Sequence, residues 1–235
     1  MLNTILFDLD STLLPMDTAT FTNEYFKLLI KKIAPLGFNP DDLINAVWLG
    51  TKAMVNNDGK VTNEECFWPA FSDALHTNIR AYEQEFISFY ENEFQEIRKF
   101  AFPSKELVHS VSILKEKGYE LILATNPIFP EIATKSRIEW AGLTPDDFSL
   151  ITYYENSYYA KPNLNYYRSI LTAINKKPEE CMMVGNDVIE DMCASRLGIN
   201  CYLITDWILN KNQEDISAWE HGTILDFYEK VKEMP

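Results

Sequence analysis

Four stretches of this 235-residue chain carry residue types that can do chemistry together. Asp8 and Asp10 stand two apart in Ile5-Leu6-Phe7-Asp8-Leu9-Asp10-Ser11-Thr12-Leu13. The apolar run before them reads as a buried strand, and the acids fall where that pattern dissolves into a polar turn. Carboxylates at the end of a buried strand are costly unless something uses them. A hard cation would remove the cost, and an unpaired carboxylate there can act as a nucleophile. Asp and Ser also favour turns for their own sake, so this pair alone leaves a turn and a site both open. Asp187 and Asp191 are four apart and flank what reads as the first turn of a helix, where acids are ordinary caps. Thr125 and the amide groups around Asn126 can hydrogen-bond a phosphate oxygen, and Lys161 can neutralise another as a point charge.

These residues meet only if the chain folds to bring them together. After Pro103, helices and short apolar strands alternate. Strands are predicted at 119–125, 150–152, 181–184 and 201–204. A helix capped by Ser104 and ended by Gly118 precedes them, and others are predicted at 131–141, 163–174, 188–197 and 223–231. The pattern implies an α/β fold, a Rossmann-like doubly wound parallel sheet with helices on both faces. Ligands bind such sheets at the carboxyl ends of the strands. Asp8 and Asp10, Thr125 and Asn126, and Asn186 and Asp187 all fall at strand ends, and Lys161 follows another in its loop. Up to four carboxylates crowding one edge cannot all stay ionised without a cation. Oxygen donors without His or Cys point to Mg²⁺. His76, His109 and His221 are scattered and read as surface or packing residues.

Residues 16–99 read as a helical insert, so the core comprises 1–15 and 100–235. Phe21, Tyr25, Leu28 and Leu29 share one helical face. Asn39-Pro40-Asp41-Asp42 starts a second helix, and Thr62 with Glu65 makes a capping box for a third. Pro69 is expected to kink or restart that third helix. A further helix from about Arg80 carries Phe86, Phe89, Tyr90 and Phe94.

Bulk composition narrows the partners. A formal charge of −14 repels nucleic acid and anionic membranes. A phosphorylated substrate therefore needs local positive charge. No apolar run is long enough to span a bilayer. No signal peptide is expected, because the N-terminal residues read directly into a strand, and Cys66, Cys181, Cys193 and Cys201 form no CxxC pair. They read as reduced thiols in a cytoplasmic protein. A monomer is permitted, and the oligomeric state is left open.

Taken together, the motifs resemble those of the haloacid dehalogenase superfamily of phosphohydrolases. DLDST at Asp8 to Thr12, ATN at Ala124 to Asn126, AKP at Ala160 to Pro162 and VGNDVIED at Val184 to Asp191 occur in that family's order. The insert is similar in placement to a C1 cap. The resemblance implies an Mg²⁺-dependent phosphatase acting on a small phosphorylated metabolite. Asp8 would be the nucleophile and Asp10 the general acid and base. Thr125, Asn126 and Lys161 would bind the phosphoryl group. Asp8, the main chain at Asp10, and Asn186, Asp187 and Asp191 would hold the metal. The fourth motif often has an acid directly after its glycine. Asn186 fills that slot here, so Asn186 or Asp187 could be the direct ligand, with Asp191 acting through water. A sugar phosphomutase and a non-catalytic binding protein are the alternatives. Asp10 argues against a dehalogenase, because halide departure needs no proton whereas an alkoxide does. Trp48, Asn56, Asn57, Lys60 and the Phe67-Trp68 pair could reach a substrate, although aromatic residues of a helical bundle usually form its core.

Overall fold

The computed structural model describes residues 1–235. Six strands form one parallel sheet: β1 (Thr4–Phe7), β2 (Glu120–Leu123), β3 (Leu150–Ile151), β4 (Cys181–Gly185), β5 (Asn200–Ile204) and β6 (Glu220–Gly222), in the order β3-β2-β1-β4-β5-β6. Phe7 pairs with Leu123 on one side and Val184 on the other, so the chemistry-bearing ends of β1, β2 and β4 lie in register. The strand order reverses at β1, where a crevice opens for ligands.

Alternation along the strands splits the core between the two faces. Ile5, Phe7, Leu121, Leu123, Val184 and Ile204 belong to one apolar cluster, and Leu6, Ile122, Met183 and Leu203 to the other. The second is covered by α7 (Leu164–Ala173) and a 3-10 turn at Met192–Leu197. The first is shared by α5 (Lys105–Glu116), α6 (Glu131–Trp140) and α8 (Ile224–Glu233). It continues into a helical block of α1 (Thr18–Ile33), α2 (Pro40–Val55), α3 (Asn63–Ala74) and α4 (Glu83–Glu91). Phe94 from this block lies 4.9 Å from Trp140 of α6, ring centre to ring centre. No helix is long and apolar enough to cross a membrane, and all four cysteines are free.

The capping signals are realised: Asn39 accepts from the amides of Asp41 and Asp42, and Thr62 and Glu65 close a capping box. Three local expectations change, and one strand was not expected. Helix α3 runs through Pro69 without restarting. The helix expected from Arg80 to Phe94 breaks at Asn92, whose side chain donates to the Ser88 carbonyl, and Phe94 sits in a separate 3-10 stretch at Glu93–Phe100. The helix expected over 188–197 is a tight turn followed by the 3-10 stretch at Met192–Leu197. Asp187 Oδ1 accepts from the amides of Ile189 and Glu190, and the Val188 amide donates to the Leu209 carbonyl. Strand β6 has no alternating pattern to reveal it; it pairs through its backbone at the sheet edge.

Candidate active site

The chain leaves β1 in a turn that ties itself down. Ser11 takes a left-handed conformation with φ 64°, its amide donates to the Leu14 carbonyl, and its hydroxyl donates to the Met16 carbonyl at 2.8 Å. The Thr12 hydroxyl reaches 3.1 Å to Asn186 Oδ1, joining this turn to the one after β4. Leu9 is buried, and its neighbours Asp8 and Asp10 both line the cavity above the sheet.

Lys161 is the electrostatic centre. It is 1% exposed, and its Nζ lies 2.9 Å from Asp8 Oδ1 and 2.6 Å from Asp191 Oδ1. Burial alone would lower its pKa, but the carboxylates of Asp191 and Asp8 outweigh burial and hold it well above the ordinary value. Asp191 Oδ2 accepts from the amides of Asn186 and Asp187, each at 3.0 Å. Both oxygens of Asp191 are thus committed within the protein, and its charge acts on the site through Lys161. Gly185 makes this approach possible, because a Cβ there would overlap the Asp191 carboxylate.

Asn186 is also committed: Oδ1 accepts from Thr12 and Nδ2 donates to the Trp207 carbonyl at 2.6 Å. Asp187 differs, with Oδ1 capping the turn and Oδ2 without a protein partner. Thr125 is buried against the cavity; its carbonyl accepts from Thr152 and Tyr166, and its hydroxyl has no protein partner. The Asn126 side chain bridges two loops, accepting from the Lys161 amide and donating to Glu190. Burial pushes the Glu190 carboxyl up to about 7, with Lys161 opposing and Asp187 reinforcing the shift.

One site residue was not expected. Arg137 on α6 is fully buried and ion-paired to Asp10 Oδ2. Its Nε donates to the Ala133 carbonyl, its Nη2 to the Thr134 hydroxyl, and its guanidinium lies 4.4 Å from the centre of the Phe129 ring. Asp10 Oδ1 is buried without any partner. Burial raises the Asp10 pKa, Arg137 lowers it, the charge of Asp8 raises it further, and the net direction is upward. The sequence signal was available: Ala133, Thr134, Arg137, Ile138 and Ala141 follow helical spacing, so the apolar face of α6 carries an arginine pointing inward.

The site opens into a cavity of about 640 Å³ enclosed between the strand ends and the helical block. Of the cap residues considered from sequence, Trp48, Phe67 and Trp68 line it. Asn57 instead bonds Asn63 and the Val61 carbonyl, Lys60 pairs with Asp58 at the surface, and Asn56 closes α2.

The profile of the haloacid dehalogenase-like hydrolases matches residues 2–196. The chain belongs to this family. No curated protein matches it. Similar solved structures include a HAD phosphatase from Thermococcus onnurineus, 16% identical over 98% of each chain with a TM-score of 0.61. A 2-haloacid dehalogenase from Pseudomonas syringae pv. Tomato DC3000 is 18% identical over 99% of each chain, with a TM-score of 0.64. YfnB from Bacillus subtilis, described as a HAD-hydrolase bound to magnesium, is 18% identical over 98% of each chain, with a TM-score of 0.60. At these identities the likeness establishes the shared fold.

The donor set of this HAD-like hydrolase can be tested against Mg²⁺. No group of three His, Cys, Asp or Glu side chains is arranged to hold a metal. Mg²⁺ does not require one: it keeps several waters and takes one or two carboxylates. Asp8 and the unpartnered Oδ2 of Asp187 supply two, and the remaining donors are oxygens of the neighbouring turns. The residues present fit a hard, largely hydrated cation.

Proposed function

We propose that this HAD-like hydrolase is an Mg²⁺-dependent phosphatase that cleaves a small phosphate monoester through an aspartyl-phosphate on Asp8. The observation that carries this reading is Asp10, a carboxyl group at the cavity two residues beyond Asp8, with one oxygen held by Arg137 and the other free of partners. A carbon–halogen bond needs a nucleophile but no proton donor at this place; an ester oxygen needs one.

The substrate phosphoryl group sits between Asp8, the Thr125 hydroxyl and the Lys161 ammonium. Asp8 attacks phosphorus, the bond from phosphorus to the ester oxygen breaks, and the departing oxygen takes the proton of Asp10. Water then attacks the same phosphorus, Asp10 takes its proton, and the bond to Asp8 breaks to release phosphate. Lys161 balances charge on the phosphoryl oxygens throughout and is held ready by Asp191. Bound Mg²⁺, held by Asp8, the Asp10 main chain and Asp187, supplies further charge neutralisation. A small phosphorylated metabolite in the cytoplasm fits a recessed cavity of about 640 Å³ better than a phosphoprotein does.

The test is inorganic phosphate release from a panel of monoesters with Mg²⁺ or with EDTA, beside Asp8→Asn. Metal-dependent release abolished in the variant supports the reading. Undiminished turnover by Asp8→Asn would remove the covalent mechanism. Exchange of phosphate between substrate carbons without release would replace hydrolysis by a mutase reaction.

A further inference from the structure

The wall of the cavity facing Asp8 differs sharply in chemistry from the phosphoryl end. Phe21, Phe26, Trp48, Phe67 and Phe86, drawn from α1, α2, α3 and α4, line it together with Tyr154. They pack against one another, with Phe26 to Trp48 at 5.3 Å and Phe67 to Tyr154 at 6.3 Å between ring centres. They nevertheless leave a space of about 640 Å³, within the range of small-molecule sites. Trp48 remains 51% exposed. A close-packed bundle core leaves neither such a void nor such a tryptophan.

The charged side chains of this wall are acids, three of them ion-paired. Glu64, Glu83, Glu131 and Glu155 line it, and Lys211, exposed at the rim, is the single basic lining residue. Arg80 pairs with Glu64 and Glu83, and Lys135 pairs with Glu131. Glu155 has no basic partner; both its oxygens accept from the amide of Glu131 at the start of α6. Lys211 at the rim is therefore the one lining lysine without an acid partner, and the aromatic wall itself offers no free cation to a second anionic group of the substrate. A carboxylate or a second phosphate on the leaving group would meet carboxylates and aromatic faces in a desolvated space.

Building on the phosphatase reading, we infer that the leaving group is a bulky, predominantly apolar alcohol of aromatic size that carries no negative charge. Apolar area supplies the binding energy, and a wall without a free cation leaves an anionic leaving group unpaired. Short anionic esters and polyhydroxylated sugar phosphates are poor substrates on this assignment, since neither fills the aromatic wall.

The test compares 2-phenylethyl phosphate with ethyl phosphate, whose leaving oxygens are of similar basicity, and adds phosphoglycolate and glucose 6-phosphate. Burying the phenyl ring should raise kcat/KM about 10- to 100-fold over ethyl phosphate. Trp48→Ala and Phe67→Ala should each lower the ratio of kcat/KM for 2-phenylethyl phosphate to that for ethyl phosphate about tenfold, because the truncated wall loses contacts that only the phenyl ring makes. Phosphoglycolate should be the poorest of the four. Equal or better turnover of phosphoglycolate or glucose 6-phosphate, with metal dependence and Asp8 dependence intact, would overturn the leaving-group assignment and leave the phosphatase reading standing. Absence of phosphate release from all four, together with no acyl-phosphate trapped on Asp8, would overturn the phosphatase reading itself.

Discussion

Replacing Arg137 by methionine strips Asp10 of its ion pair while retaining most of the buried stem. Removing one partner of a buried pair typically costs about 3–5 kcal/mol, because the other charge is left uncompensated. The Asp10 side chain is 30% exposed toward the cavity, so water relieves part of this, and a cost of about 3 kcal/mol is expected. Bonds from Arg137 to the Ala133 carbonyl and Thr134 hydroxyl are also lost, which adds about 1 kcal/mol. For a chain of this length that corresponds to a fall in Tm of about 10 °C. Asp10→Asn should be costly for the converse reason, since Arg137, at 1% side-chain exposure, has no route to solvent. The double variant contains neither uncompensated charge and should be more stable than the sum of the singles implies. A coupling of about 2–3 kcal/mol is expected from urea unfolding of the four proteins at one pH and salt concentration. Coupling below about 0.5 kcal/mol would refute the view that this pair is an energetically closed unit. Activity supplies a second readout. Arg137→Met should slow esters with poor leaving groups more than those with good ones, because Arg137 orients the proton donor and does not touch phosphorus.

Three further outcomes follow from the same geometry. Lys161→Met leaves Asp8 and Asp191 facing each other without a cation, so turnover should fall at least about 10²-fold; near-normal phosphate release would refute the role of Lys161 as the phosphoryl counter-charge. Gly185→Ala forces a methyl group into the space of the Asp191 carboxylate; a loss of about 1–3 kcal/mol in unfolding experiments and a displaced Lys161 are expected, whereas an unchanged Tm and activity would show that the loop adapts freely. Burial holds the Glu155 carboxyl up at about 7, reinforced by Glu64 and Glu131 and opposed by the Glu131 amide. The folded state therefore binds more protons than the unfolded state between about pH 4.5 and 7. This contribution to stability is complete below about pH 4.5 and is lost as pH rises through about 7. Glu155→Gln should flatten that decline, gaining about 1 kcal/mol on the wild type between pH 5 and 8 after allowance for solvent at this half-buried group. Parallel stability–pH curves for the two proteins would refute the assignment.

Much of this protein is determined locally and is therefore legible in its sequence. Asn39, Thr62 and Ser104 cap the helices they precede because each cap needs only a side chain and an amide two or three residues on. The apolar runs at Ile5–Phe7 and Cys181–Val184 become central strands because only a doubly covered sheet can bury them. Once those strands are parallel, their carboxyl ends must coincide, and Asp8, Thr125, Asn186 and Asp187 must converge. Tertiary structure alone decided how those groups are used. Asp191 and Lys161, 30 residues apart, pair across the site, so an acid that resembles a metal ligand in its motif also holds the lysine. Asn186, in a slot often filled by an acid, spends its amide on Thr12 and Trp207 and leaves Asp187 with the free oxygen. Arg137 meets Asp10 across 127 residues, a choice set by the face α6 turns to the sheet. The aromatic residues of the helical block follow core spacing, and nothing in that spacing separates a filled core from a lined cavity. The distinction depends on how closely α1 to α4 approach the strand ends, a distance that no local pattern encodes.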